Sequence, residues 1–88
     1  MKEKELERLL KALANRRRLA VINFLKKEKE ANVGEVAEQI HLSFKSTSRH
    51  LAVLASVDIL EKEQRSSEVF YRLNSDMPEI TNRILHIL

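Results

Sequence analysis

The chain has 88 residues, 43% of them hydrophobic and 33% charged, with one Gly, one Pro and no Cys. That length suits one domain with a marginal core, to which association would add stability, and the missing cysteine excludes disulfides, thiolate metal sites and cysteine nucleophiles. The net charge of +3 is compatible with a nucleic-acid partner. No apolar run is long enough to span a membrane, and MKEKELERLL lacks the apolar stretch of a signal peptide. A soluble cytoplasmic protein is therefore expected, with no membrane partner.

Residues 3–13 place Leu6, Leu9, Leu10 and Leu13 at helical spacing, which predicts a one-sided amphipathic helix. Asn15 is a cap for a second helix bearing Leu19, Ile22 and Leu25, widened by Val21 and Phe24 and ending in KKEKE. Asn32 with Glu35 is a capping-box pattern. Val33, Val36, Ala37 and Ile40 then define a short third helix.

After a tight turn at His41-Leu42, Ser43 caps a fourth helix whose inward stripe is Thr47, Leu51 and Leu54, closing near Val57. Lys45, Ser46, Ser48 and Arg49 fall on its other faces. Two helices joined by so short a turn form a helix-turn-helix. Ile59 to Gln64 and Glu68 to Leu73 read as paired strands, and a hairpin in that place is a wing. Met77, Ile80, Ile84 and Leu88, with Leu85 and Ile87 beside them, predict a last apolar helix with Pro78 in its first turn. Asp76 is the expected N-cap of that helix. The fold class is mainly α with a β-hairpin wing: a winged helix-turn-helix of about five helices, one domain over residues 1–88.

The segment LSFKSTSRHLAVL carries the functional signal. It holds two cations and no acid at its polar head, while its aliphatic end anchors it. Arg49 has the geometry to pair with guanine O6 and N7, and Ser46 and Ser48 can donate to bases or phosphates. Lys45 is a phosphate-directed charge next to the free N–H groups of a helix start. Taken singly, these residues are caps and solvated charges. Taken with the short helix before and the hairpin after, they point to double-stranded DNA.

These residues also carry a family resemblance. LKALANRRRLAVINFL, then VGEVAEQIHLSFKSTSRHLAVL, then EVFYRL resemble the ArsR family of bacterial winged-helix repressors over about residues 6–76. The resemblance implies a sequence-specific transcriptional regulator, a repressor binding a palindromic operator as a homodimer. It puts Ser46, Ser48 and Arg49 on DNA-contacting positions with His50 beside them, and Arg18 on the family's second-helix arginine. A proline of the family pattern is Arg16 here, giving Arg16-Arg17-Arg18; Arg17 and Arg18 are expected at phosphates. In the wing the usual glycine aligns with Ser66 and the usual arginine with Ser67, which leaves Arg65 as the substitute contact.

Sensor residues are the largest departure. The cysteine pair that many relatives carry at the third helix is Asn32 and Gly34 here. Of the last-helix ligands only Asp76 and His86 remain, and His41, His50 and His86 lack ligand spacing. Neither metal nor cofactor is expected. An enzyme is not expected either, because no acid–base–nucleophile set is evident. The competing reading is a winged helix used only for protein–protein contact, which needs no cationic head on its fourth helix. A MarR-like regulator would have longer terminal helices. Leu6, Leu9, Leu10, Met77, Ile80, Ile84 and Leu88 exceed what so small a core covers, and are the expected dimer interface.

Overall fold

The computed structural model describes residues 1–88. In chain order it has α1 (Glu3–Leu13), α2 (Arg16–Glu28), β1 (Glu30–Asn32), α3 (Val33–Ile40), α4 (Phe44–Ser56), β2 (Leu60–Arg65), β3 (Glu68–Leu73) and α5 (Glu79–Ile87). Five helices surround a small antiparallel sheet of order β1-β3-β2. The winged helix-turn-helix expected from the sequence is present.

Local chemistry sets most boundaries. The Asn15 side chain accepts from the Arg18 N–H at 3.0 Å and starts α2. Asn32 and Glu35 form a reciprocal box, each side chain accepting from the other's backbone N–H at 2.8 Å. Ser43 Oγ accepts from the Ser46 N–H at 3.1 Å and starts α4. Between α3 and α4 the chain turns through His41 in the left-handed region, while the Leu42 N–H reaches back to the Ala37 carbonyl at 3.0 Å. That closure satisfies a terminal carbonyl of α3 and fixes the angle at which α4 leaves.

The core is aliphatic. Val21, Ile22 and Leu25 of α2 meet Val36 of α3, Leu51 and Leu54 of α4, and Ile59 behind the sheet, all 1% exposed or less. Tyr71 is its sole aromatic member, and its phenol is pushed up by burial. On α4 the inward stripe is Thr47, Leu51 and Leu54, which turns the residues around Lys45 and Arg49 outward.

One expectation needs correction, and two features had no sequence signal. A third strand, β1, pairs Ala31 with Tyr71 of β3; three residues with one apolar side chain carry no periodicity to announce it. Asp76 does not cap α5: Pro78 holds the N-cap position, and the Asp76 N–H instead closes a turn onto Asn74 Oδ1 at 3.0 Å. The inward face of α5 is Thr81 and Leu85, with Met77 and Ile84 half-buried against the core and Ile80 and Leu88 exposed. Lys26 Nζ donates to the Leu85 carbonyl at 2.9 Å. It pins the C-terminal end of α5 to α2, where a cation also suits the helix dipole.

Candidate nucleic-acid interface

The outward face of α4 begins one residue after its cap. Phe44, Lys45, Ser48, Arg49 and Ala52 border a shallow groove along its first two turns. Lys45 and Arg49 are exposed, and neither takes part in any of the chain's ion pairs. Ser46 and Ser48 are half-buried on the two flanks. Two unneutralised cations beside hydroxyls, on a helix whose other side is locked into the core, make a rigid, positively charged ridge.

Arg16 and Arg17 are exposed at the head of α2, whose first turn has no acid. Three arginines there oppose the helix dipole. Neither Arg16 nor Arg17 has an ion-pair partner, so both remain available to phosphate.

Arg18, expected at phosphate, is half-buried and bonded to its own chain. Its Nε donates to the Ala12 carbonyl at 2.6 Å and its Nη2 to the Lys11 carbonyl at 3.1 Å. Its Nη1 lies 3.2 Å from His50 Nδ1. A guanidinium only donates, so Nδ1 accepts and His50 is the neutral tautomer with its proton on Nε2. Arg18 thus straps the last carbonyls of α1 to the flank of α4. His50 is packed against that strap through Nδ1.

Burial, then Arg18, then Arg17 lower the pKa of His50 from the ordinary 6.5. A depressed folded value means that the unfolded chain binds the proton more readily. The stability tied to neutral His50 is therefore full above the ordinary value and is lost as pH falls through the folded one. Arg18→Gln should raise the His50 pKa, read by proton NMR titration of the imidazole. It should also cost about 1 kcal/mol in urea unfolding, because the partly buried Ala12 carbonyl at the end of α1 loses a charged donor. An unmoved His50 titration would show that the strap does not act on it.

Arg65 is a second correction. Its guanidinium donates to both carboxylate oxygens of Glu30, at 2.8 and 3.0 Å, and to Glu63 at 3.0 Å. It lies 4.5 Å above the Phe70 ring. Glu63 also pairs with Arg72 at 3.1 Å, and Arg72 with Glu61 at 3.0 Å. Hydrogen bonds from Arg65 hold both Glu30 and Glu63 below the usual carboxylate range. So the wing cation expected at DNA is tied across β1, β2 and β3. Glu63, two residues away on the same face of β2, is the part legible in the sequence; Glu30, 35 residues away, is not. The wing tip is Ser66 and Ser67, with Ser66 at φ 55°, the place a glycine would take without cost.

A second exposed surface lies on α1 and α5. Leu10 is 48% exposed, Ile80 44% and Ile87 84%. Leu6, Leu10 and Ala14 line an apolar groove along α1. The two helices are neighbours, since Pro78 and Thr81 share a small cavity with Glu5, Arg8 and Leu9. Leu9, expected at this surface, is 3% exposed and belongs to the core.

Residues 8–62, from the middle of α1 through α4 into the wing, match the family model of bacterial regulatory proteins of the arsR family. The chain belongs to the ArsR family. It is accordingly a winged-helix transcriptional regulator and not an enzyme. It is 36% identical over 80 residues to the transcriptional activator HlyU of Vibrio cholerae, spanning 91% of this chain and 73% of that protein. It is 28% identical to the transcriptional repressor PagR of Bacillus anthracis, spanning 89% and 78%. Among solved structures, reduced HlyU from V. cholerae superposes with a TM-score of 0.79 at 32% identity, covering 97% of this chain and 85% of that one. The homodimeric winged helix-turn-helix DNA-binding domain of Mb0332 from Mycobacterium bovis gives 0.79 at 26% identity, covering 96% and 74%. No helix of this ArsR-family chain is long and apolar enough to cross a membrane.

Proposed function

We propose that the chain is a cytoplasmic repressor that binds a roughly palindromic operator as a homodimer. The head of α4 enters the major groove: Arg49 reads a base, Ser46 and Ser48 contact bases or phosphates, and Lys45, with Arg17 of α2, holds the backbone. The observation that carries this reading is the outward ridge of Lys45 and Arg49, two cations without an acidic partner on a helix fixed from behind. A winged helix used only for protein contact has no use for such a ridge, and Mb0332, similar over 96% of this chain, is a homodimeric DNA-binding domain. The dimer joins through Leu10 of α1 and Ile80, Ile87 and Leu88 of α5, with Leu6, Met77 and Ile84 beneath them. Two-fold symmetry then puts the recognition helices about one DNA turn apart, roughly 34 Å. Repression follows from occupancy alone, because a bound dimer blocks a promoter that overlaps its site.

Binding is independent of metal. Asn32 is occupied as the cap of α3 and donates to Glu68 at 3.0 Å, and Gly34 has no side chain to coordinate with. Asp76 lies before α5 and His86 at its far end, so one helix does not present them together. Selection of bound duplexes from a random pool, run in chelator and again with zinc, tests these statements at once. The expected result is one inverted repeat, recovered equally in both conditions. Sequences without two-fold symmetry would remove the palindrome, and a tenfold loss of affinity with zinc, reversed by chelator, would remove the metal statement.

A further inference from the structure

Phe44 is the first residue of α4, directly after Ser43, and its side chain is 63% exposed. The helix buries Thr47, Leu51 and Leu54 on one stripe, and Phe44 continues that spacing one turn towards the N-terminus, where its ring is left uncovered at the mouth of a cavity between α3 and the wing. The ring covers no part of the core cluster. An aromatic ring left in water at the head of a helix gains nothing for the fold.

Its neighbours indicate what covers it. On one side Phe44 borders the α4 groove together with Lys45, Ser48, Arg49 and Ala52; on the other it borders a cavity that holds Glu35 and Glu38 of α3 and Glu68 of the wing, so it is the Lys45 and Arg49 side that faces an anionic partner. A second copy of this surface is a poor occupant, because two such heads face to face would bring four unpaired cations together. A duplex is a good one, since phosphates neutralise Lys45 and Arg49 while the ring meets the groove floor. The major groove has one apolar feature on that floor, the C5 methyl group of thymine, and phenylalanine is among the side chains that pack on it.

We propose that Phe44 is a specificity-determining residue that reads the methyl group of one thymine in each half-site. The ring selects by shape and desolvation: methyl is favoured there, and the exocyclic amine of cytosine would lose its hydrogen bond to water against it. This rests on the reading of α4 as the DNA-reading helix, and deepens it by naming one base.

Deoxyuridine tests it, because it keeps every hydrogen-bonding group of thymine and lacks only the methyl. In the duplex recovered by selection, each thymine is replaced by deoxyuridine symmetrically in both half-sites. Affinity of the wild-type protein should fall at one position by about fourfold per half-site, the value of one buried methyl. Phe44→Ala should bind the thymine and deoxyuridine duplexes equally, with an unchanged unfolding midpoint because the ring supports no core contact. Phe44→Gln should shift the selected base at that position from thymine to adenine, glutamine's usual partner. A scan that is flat at every thymine, or a sensitive position that survives in Phe44→Ala, overturns the assignment while leaving DNA binding intact. Failure of the wild-type protein to bind any duplex would remove the α4 reading itself, and the assignment with it.

Discussion

Replacing Arg49 by alanine is expected to weaken binding to the selected duplex by about 1–3 kcal/mol per half-site. At one base pair the preference for guanine should disappear, while the unfolding midpoint stays that of the wild type. The size follows from geometry. Arg49 is exposed on the outer face of α4 and pairs with no acid of its own chain, so its guanidinium reaches the groove without first breaking an internal ion pair. Loss of a bidentate contact costs both hydrogen bonds and leaves the guanine acceptors unpaired. Arg65→Ala, by contrast, should act mainly on the wing, because that side chain is committed to Glu30 and Glu63. Quantitative gel shifts of the two variants, on the selected site and on variants of one base pair, separate the roles. Equal losses for both would erase the distinction between a free and a tethered arginine.

The double substitution Leu10→Glu with Ile80→Glu should yield a folded monomer by sedimentation velocity. Both side chains are more than two-fifths exposed, so a carboxylate at either position remains hydrated in the monomer. At a two-fold interface the same carboxylates would be buried without partners, a cost the association does not survive. Operator affinity should then fall on the order of a hundredfold or more, because the second half-site is no longer held at high effective concentration by the first. Leu9→Glu would not be informative, since Leu9 sits in the core and its loss unfolds the chain. A dimer that persists in the double variant would place the interface elsewhere.

Where the sequence was legible, the cause was local. The caps at Asn15, Asn32 and Ser43 act over three residues, and the structure contains all three hydrogen bonds. The inward stripe of α4 follows helical spacing and needs no knowledge of its surroundings. What was not legible depends on how the elements pack. Arg18 and Arg65 look like free cations until α1, α4 and β1 are packed around them. On α5 nearly every face is apolar, so periodicity does not separate Thr81 and Leu85, which face the core, from Ile80 and Ile87, which do not. Strand β1 exists because β3 offers it an edge. Phe44 was hidden by its spacing: it is in register with Thr47, Leu51 and Leu54, so periodicity places it inward, and only the end of the core one turn earlier leaves it 63% exposed.

The central claim is that the head of α4 carries the chain onto duplex DNA through charges left unpaired for phosphate. The salt dependence of binding to the selected duplex measures this directly. Affinity should fall steeply as salt rises, with a log–log slope that becomes shallower by about two in Lys45→Gln, one phosphate contact per protomer of the dimer. Binding that is absent at low salt, or a slope that Lys45→Gln leaves unchanged, would contradict it.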